Sequence, residues 1–277
     1  MGKKHKLIKL LLSVIFLFSF LFSCASNAGS LKNKNSFVWN EYKGLDYSIK
    51  NRGNGKINFF LMQPDNPKDS PLVILIHGYM QSKEAWLGDE FTHGELVTEK
   101  LLERGASVLL PDLPFHGSNY DENGDQGESI WGPSKYPVFI QMFIDDIQII
   151  LAYLSEKTEI DTTRIALVGY SLGSSVSFPL INAVADVDTS ALCVPIPFLN
   201  NRSDVGPMKC ARQIDIPILL ISASKDDSEI VNDVPFLFDI IPSNIKEHKW
   251  YDSGHNLPAE YSNDVINWLD DYFFNSK

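Results

Sequence analysis

Residues 164–173 read Arg164-Ile165-Ala166-Leu167-Val168-Gly169-Tyr170-Ser171-Leu172-Gly173. The run from Ile165 to Val168 is continuously apolar, as expected of a strand buried on both faces. The residues after Leu172 return to helical spacing as far as Ala185, so the segment predicts strand, sharp turn and helix. This is the context in which a Gly-x-Ser-x-Gly motif exposes a serine hydroxyl above a sheet. Glycines flank Ser171 because so tight a turn has no room for side chains. Ser171 is expected to hold a strained backbone at the N-terminus of the helix.

Outward from that turn, Pro71-Leu72-Val73-Ile74-Leu75-Ile76 is a second buried run. Further strands are predicted at 107–110, 191–194, 218–222 and 249–251, with helices at 96–104, 138–157, 230–241 and 261–274. An antiparallel pair, 39–49 and 56–62, precedes them, joined by Asn51-Arg52-Gly53-Asn54-Gly55. Strands alternating with helices predict an α/β fold, a mostly parallel sheet covered on both faces in one domain. Ligands of such sheets bind where loops leave the C-terminal ends of the strands. His77, the segment from Asp112 to Ser118, Ser171, Asp226 and His255 all follow predicted strands.

A serine hydroxyl needs a base to take its proton and a carboxylate to orient that base. His255, in Asp252-Ser253-Gly254-His255, is the candidate base. Asp226, in Ala223-Ser224-Lys225-Asp226-Asp227, is the candidate acid, with Asp227 the alternative and a helix cap the competing role for either. Negative charge on a substrate oxygen would meet the backbone N–H of Leu172 and that of Tyr79, with Met80 the alternative to Tyr79. His77 is expected to support that loop. His93 and His248 lie in polar stretches and read as surface residues.

The chain of 277 residues is 44% hydrophobic and 21% charged, with a net charge of −11. That composition excludes disordered and collagen-like classes, and the acidic balance argues against a nucleic-acid partner. Three cysteines cannot form a disulfide scaffold. Cys193 and Cys210 are expected as separate thiols, with a bridge between them the alternative. Asp121, Asn123 and Asp125 hint at calcium, but Gln126 and Gly132 break the EF-hand pattern. No metal and no cofactor are expected.

At the N-terminus, Lys3, Lys4, Lys6 and Lys9 precede an apolar run from Leu10 to Phe22. A basic start followed by a short apolar block reads as a secretory signal. Leu21-Phe22-Ser23-Cys24 resembles the bacterial lipoprotein box, which implies lipidation at Cys24 and an extracytoplasmic protein held by a lipid anchor. Ordinary secretion, or a periplasmic location, is the alternative. The expected organisation is a signal peptide at 1–23, a tether at 24–36 and the folded domain at 37–277.

His77-Gly78-Tyr79, Asp112-Leu113-Pro114-Phe115-His116-Gly117-Ser118, Gly169-Tyr170-Ser171-Leu172-Gly173, Asp226 and Gly254-His255 together resemble the α/β-hydrolase superfamily, in that family's order. Asp161-Thr162-Thr163-Arg164 before the serine turn is similar to its dienelactone-hydrolase-like and oligopeptidase-like members. The resemblance implies a carboxylesterase-like serine hydrolase acting on a small-molecule ester through an acyl-enzyme. A peptidase or thioesterase of the same fold is one rival, and a non-catalytic binding lipoprotein is another. Only about twenty residues separate the strands near 194 and 217, too few for a large lid. The long insertion at 119–137, with Tyr120, Trp131 and Tyr136, is expected to wall an open cleft, Phe115 and Trp131 touching substrate.

Overall fold

The computed structural model describes residues 31–50, 55–88, 90–119, 132, 134–199 and 203–275. Nine strands form one sheet. They are β1 (Leu31–Trp39), β2 (Tyr42–Lys50), β3 (Lys56–Gln63), β4 (Pro71–Ile76), β5 (Ser107–Pro111), β6 (Asp161–Tyr170), β7 (Val187–Cys193), β8 (Ile218–Ala223) and β9 (Lys246–Tyr251). Their order is β1-β2-β3-β5-β4-β6-β7-β8-β9. The first three pair antiparallel, β3 joins β5 antiparallel, and every pairing from β5 to β9 is parallel.

Alternation along each buried strand sends side chains into two cores. Leu72, Ile74 and Ile76 of β4 enter one core with residues of α2 (Tyr136–Lys157), α3 (Leu172–Ala183) and α4 (Ser228–Asp239). Val73 and Leu75 enter the other with residues of α1 (Gly94–Glu103) and α5 (Tyr261–Leu269). Burying each such side chain contributes about 1.5–3 kcal/mol. By length and composition α2 could cross a bilayer. Here its apolar positions, among them Phe139, Phe143, Ile147 and Ile150, are buried in the first core.

Two expectations at the N-terminal end are corrected. Leu31 to Ser36, placed in the tether, are strand residues paired with β2. The strand read over 39–49 begins only at Tyr42, and Trp39 ends β1, opposite Tyr42 across a tight hairpin. Asn40 and Glu41 between them have φ of 45° and 72°. Two positive φ values in a two-residue loop match the twist of the flanking strands. Glutamate seldom adopts that conformation, so the turn carries no Asn-Gly signal in the sequence. Tyr136, read as part of the long insertion, opens α2 and is fully buried.

Chain direction places the site. From β4 the chain crosses to β5 on one side, then returns through α2 to β6 on the other. The loops leaving β4 and β6 therefore diverge and open a crevice at this switch in strand order. Between β7 and β8 the described residues hold only the one-turn helix Pro207–Cys210 and a further short turn, so no lid domain stands there. A Cβ on Gly173 would lie 2.1 Å from the Ile76 carbonyl oxygen and 2.7 Å from that of His77. Gly173→Ala should therefore cost about 3 kcal/mol or more, read as a lower midpoint in urea unfolding.

Candidate active site

Ser171 stands between β6 and α3 with φ 54° and ψ −114°. Such a backbone costs about 1–3 kcal/mol and persists only where its surroundings impose it. Here the Ser171 N–H donates to the Cys193 carbonyl at 2.9 Å, and the Ser171 carbonyl accepts the Ser175 N–H at 3.1 Å. A Cβ on Gly169 would come within 2.6 Å of Ser174. The turn is thus closed on both sides of the serine, which is 8% exposed.

His255 lies in the loop after β9, with Nε2 2.8 Å from Ser171 Oγ. Its Nδ1 is 2.7 Å from Asp226 Oδ2. A carboxylate at Nδ1 fixes the tautomer: Nδ1–H donates and Nε2 is left to accept the serine proton. The Asp226 side chain is 5% exposed against 36% for His255, so the carboxylate is sheltered and the imidazole faces the opening. Asp226 Oδ1 also accepts the Asp227 N–H at 2.7 Å. Asp227 instead caps α4, accepting the Glu229 N–H at 2.8 Å. Of the two adjacent carboxylates, Asp226 faces the histidine and Asp227 is the cap.

The loops after β8 and β9 hold each other by backbone bonds. Ser224 N–H donates to Tyr251 O at 2.8 Å and Lys225 N–H to Ser253 O at 2.9 Å. Tyr170, beside the serine and 2% exposed, adds a link from below. Its hydroxyl donates to His255 O at 3.0 Å and accepts the Leu257 N–H at 2.9 Å. The residue preceding Ser171 therefore sets the height of the histidine loop. Sequence reading missed this role, because nothing local to Tyr170 names a partner 85 residues away.

Leu172 is the first residue of α3, and the N–H groups of a first helical turn have no acceptor within the helix. The loop after β4 runs beside the serine: a Cβ on Gly78 would stand 3.5 Å from Ser171 Cβ. Met80 holds φ 57° there. The Tyr79 ring packs edge-on to His116 at 5.6 Å. His77 is 1% exposed; its Nδ1–H donates to Gly78 O at 2.8 Å and its Nε2 accepts the Leu113 N–H at 3.0 Å. Burial pushes its pKa down to about 3, so it is a neutral strut between two loops.

Phe115, at φ 63°, is half-buried against the core. Trp131, Cys24 and the Asp121–Asn123–Asp125 cluster lie outside the described residues. His248 corrects the surface reading. It is half-buried between Phe238 and Trp250, bonds Ser222 Oγ at 2.9 Å, and burial lowers its pKa to about 4. Cys193 and Cys210 are both buried and free.

Among curated proteins no significant match is found. Solved structures share the architecture. A cold-adapted esterase from an Arctic intertidal metagenomic library superposes with TM-score 0.71 at 18% identity, over 87% of this chain and 100% of that one. An esterase from Pyrococcus furiosus gives 0.64 at 20%, over 87% and 99%. Acetyl xylan esterase 1 from Thermoanaerobacterium gives 0.67 at 17%, over 89% and 88%. At such identities the likeness speaks for the fold, that of the α/β hydrolases. The sequence model of the dienelactone hydrolase family matches residues 57–255. That span takes in the loop after β4, the serine turn, Asp226 and His255, and the chain belongs to the dienelactone hydrolase family.

Proposed function

We propose that the protein is a serine hydrolase that cleaves small-molecule carboxylic esters through an acyl-enzyme. The observation that carries this reading is the continuous chain from Ser171 Oγ through His255 to Asp226, at 2.8 and 2.7 Å. Ser171 Oγ attacks the ester carbonyl carbon while its proton passes to His255 Nε2. Asp226 holds the imidazole in register and stabilises its charged form. The substrate oxygen becomes an oxyanion, to which the N–H groups of Leu172 and Tyr79 are assigned as donors. His255 then returns its proton to the leaving alcohol. Water repeats the sequence on the acyl-enzyme, with His255 as base, and restores Ser171. No metal or cofactor enters these steps.

Phe115 and Trp131 are assigned to the substrate cleft. Cys24 is assigned as the lipid attachment point of an extracytoplasmic protein. Acyl chains rather than a basic patch would hold so acidic a protein to a membrane.

A fluorophosphonate probe and a panel of nitrophenyl esters and peptide amides test the chemistry. Wild type should be labelled and should prefer esters. Ser171→Ala should lose labelling and about 10⁶-fold in kcat. Absence of labelling in folded wild type would favour a binding protein, and faster cleavage of amides a peptidase. Asp226→Asn should lower kcat by about 10⁴-fold. Asp227→Ala should cost about 1 kcal/mol of stability, as loss of a helix cap does, and leave the rate in place. Wild type should incorporate labelled palmitate in a bacterial host and Cys24→Ser should not; equal incorporation would move the anchor elsewhere.

A further inference from the structure

Beneath the loop that carries Tyr79 lies an ion pair that the chemistry above does not use. Lys83 Nζ is 2.9 Å from Asp112 Oδ2, and the two side chains are 3% and 0% exposed. Taking two charges out of water costs several kcal/mol each, and an apolar pair of the same volume commonly serves stability as well. What a charged pair supplies is direction. The Asp112 carboxylate accepts three donors: Lys83 Nζ, the Lys83 backbone N–H at 2.8 Å through Oδ1, and the Ser118 N–H at 2.9 Å through Oδ2. Lys83 Nζ reaches Ser118 Oγ at 2.8 Å, stands 4.6 Å over the Phe60 ring, and is 3.2 Å from the exposed Glu84. Burial alone would lower the Lys83 pKa, but Asp112 and Glu84 outweigh it and hold it above the ordinary lysine value. The ammonium therefore stays charged.

The loop after β5 is wrapped tightly round this carboxylate. Gly117 holds φ 51°, and a Cβ on it would stand 2.2 Å from Asp112 Oδ1. Asn58 of β3 ties the same loop down, its carbonyl accepting the Asp112 N–H at 3.0 Å and its Nδ2–H donating to Ser118 O at 3.1 Å. The result is an arch with two fixed feet. His77 pins one foot to Leu113, and Lys83 pins the other to Asp112. Between them lie Gly78, Tyr79, Met80, Gln81 and Ser82, braced inside by Gln81 Oε1, which accepts the Gly78 N–H at 2.9 Å.

We propose that Lys83 and Asp112 are positioning residues for the reaction, a buried ionic clamp that sets the direction of the Tyr79 N–H toward the substrate oxygen. This rests on the serine-hydrolase reading. A donor aimed at the oxyanion acts mainly in the transition state, so loosening it lowers kcat more than it raises KM. Removing such a donor outright costs about 10²–10³-fold in kcat.

The test uses the full-length protein with nitrophenyl acetate as substrate and an alkylboronic acid as a tetrahedral probe. Lys83→Met should lower kcat about 10–100-fold, with KM within about twofold, and weaken boronate binding in proportion to the loss in kcat/KM. Lys83→Arg, which keeps the cation, should recover most of the rate. Should Lys83→Met leave Asp112 as an uncompensated charge and fail to fold, Lys83→Met/Asp112→Asn removes both charges and keeps an acceptor for the Lys83 backbone N–H. It should fold and still show the low kcat. Wild-type kcat in either folded methionine variant, or a loss confined to thermal stability, would overturn the clamp while the serine reading stands. Wild type that no fluorophosphonate labels would overturn the serine reading itself, and the clamp with it.

Discussion

The site depends on how closely the start of α3 approaches the end of β4. With a Cβ on Gly173 placed only 2.1 Å from the carbonyl oxygen of Ile76, no side chain fits between them. The contact draws the helix start over the edge of the sheet. The strand-to-helix turn must then close within one residue, and that residue is Ser171, held at positive φ. The strain is localised at Ser171, and the packing of the two buried cores on either side of the sheet sustains it.

Electrostatics divides the loops above the sheet into two kinds of contact. Asp226 and His255 meet at the rim, where the imidazole remains open to solvent. Lys83 and Asp112 meet below it, closed off from water, where charge serves geometry. His77 belongs with the second kind: its neutral ring donates on one side and accepts on the other. The loop after β4 is thereby fixed at both ends to the loop after β5 by partners that do no chemistry themselves. Tyr170 does the same for the histidine loop with a single hydroxyl.

Much of this could be read along the chain. Continuous apolar runs such as Leu72 to Ile76 announce strands buried on both faces, because in a parallel sheet both faces are covered. Ser171 stood out because it follows such a run and is flanked by glycines, and His255 because it follows the last strand, after Gly254. The N-terminal hairpin was misread, since Asn40-Glu41 turns by adopting positive φ without the residue pair that usually marks it. The tether was drawn too long for a related reason: the polar residues of β1 suit an edge strand as well as a linker.

Patterns within some twenty residues determined most of the strands and helices, the parallel sheet and the candidates Ser171 and His255, because hydrophobic periodicity and turn chemistry act over that range. Choosing between Asp226 and Asp227 was beyond it, since both have the same chemistry and adjacent places in the chain. So were the partners of Tyr170 and the buried pairing of Lys83 with Asp112. These are set by where strands far apart in sequence end beside one another, and hydrogen bonds reach only about 3 Å. Only the packed tertiary structure brings such groups within that reach.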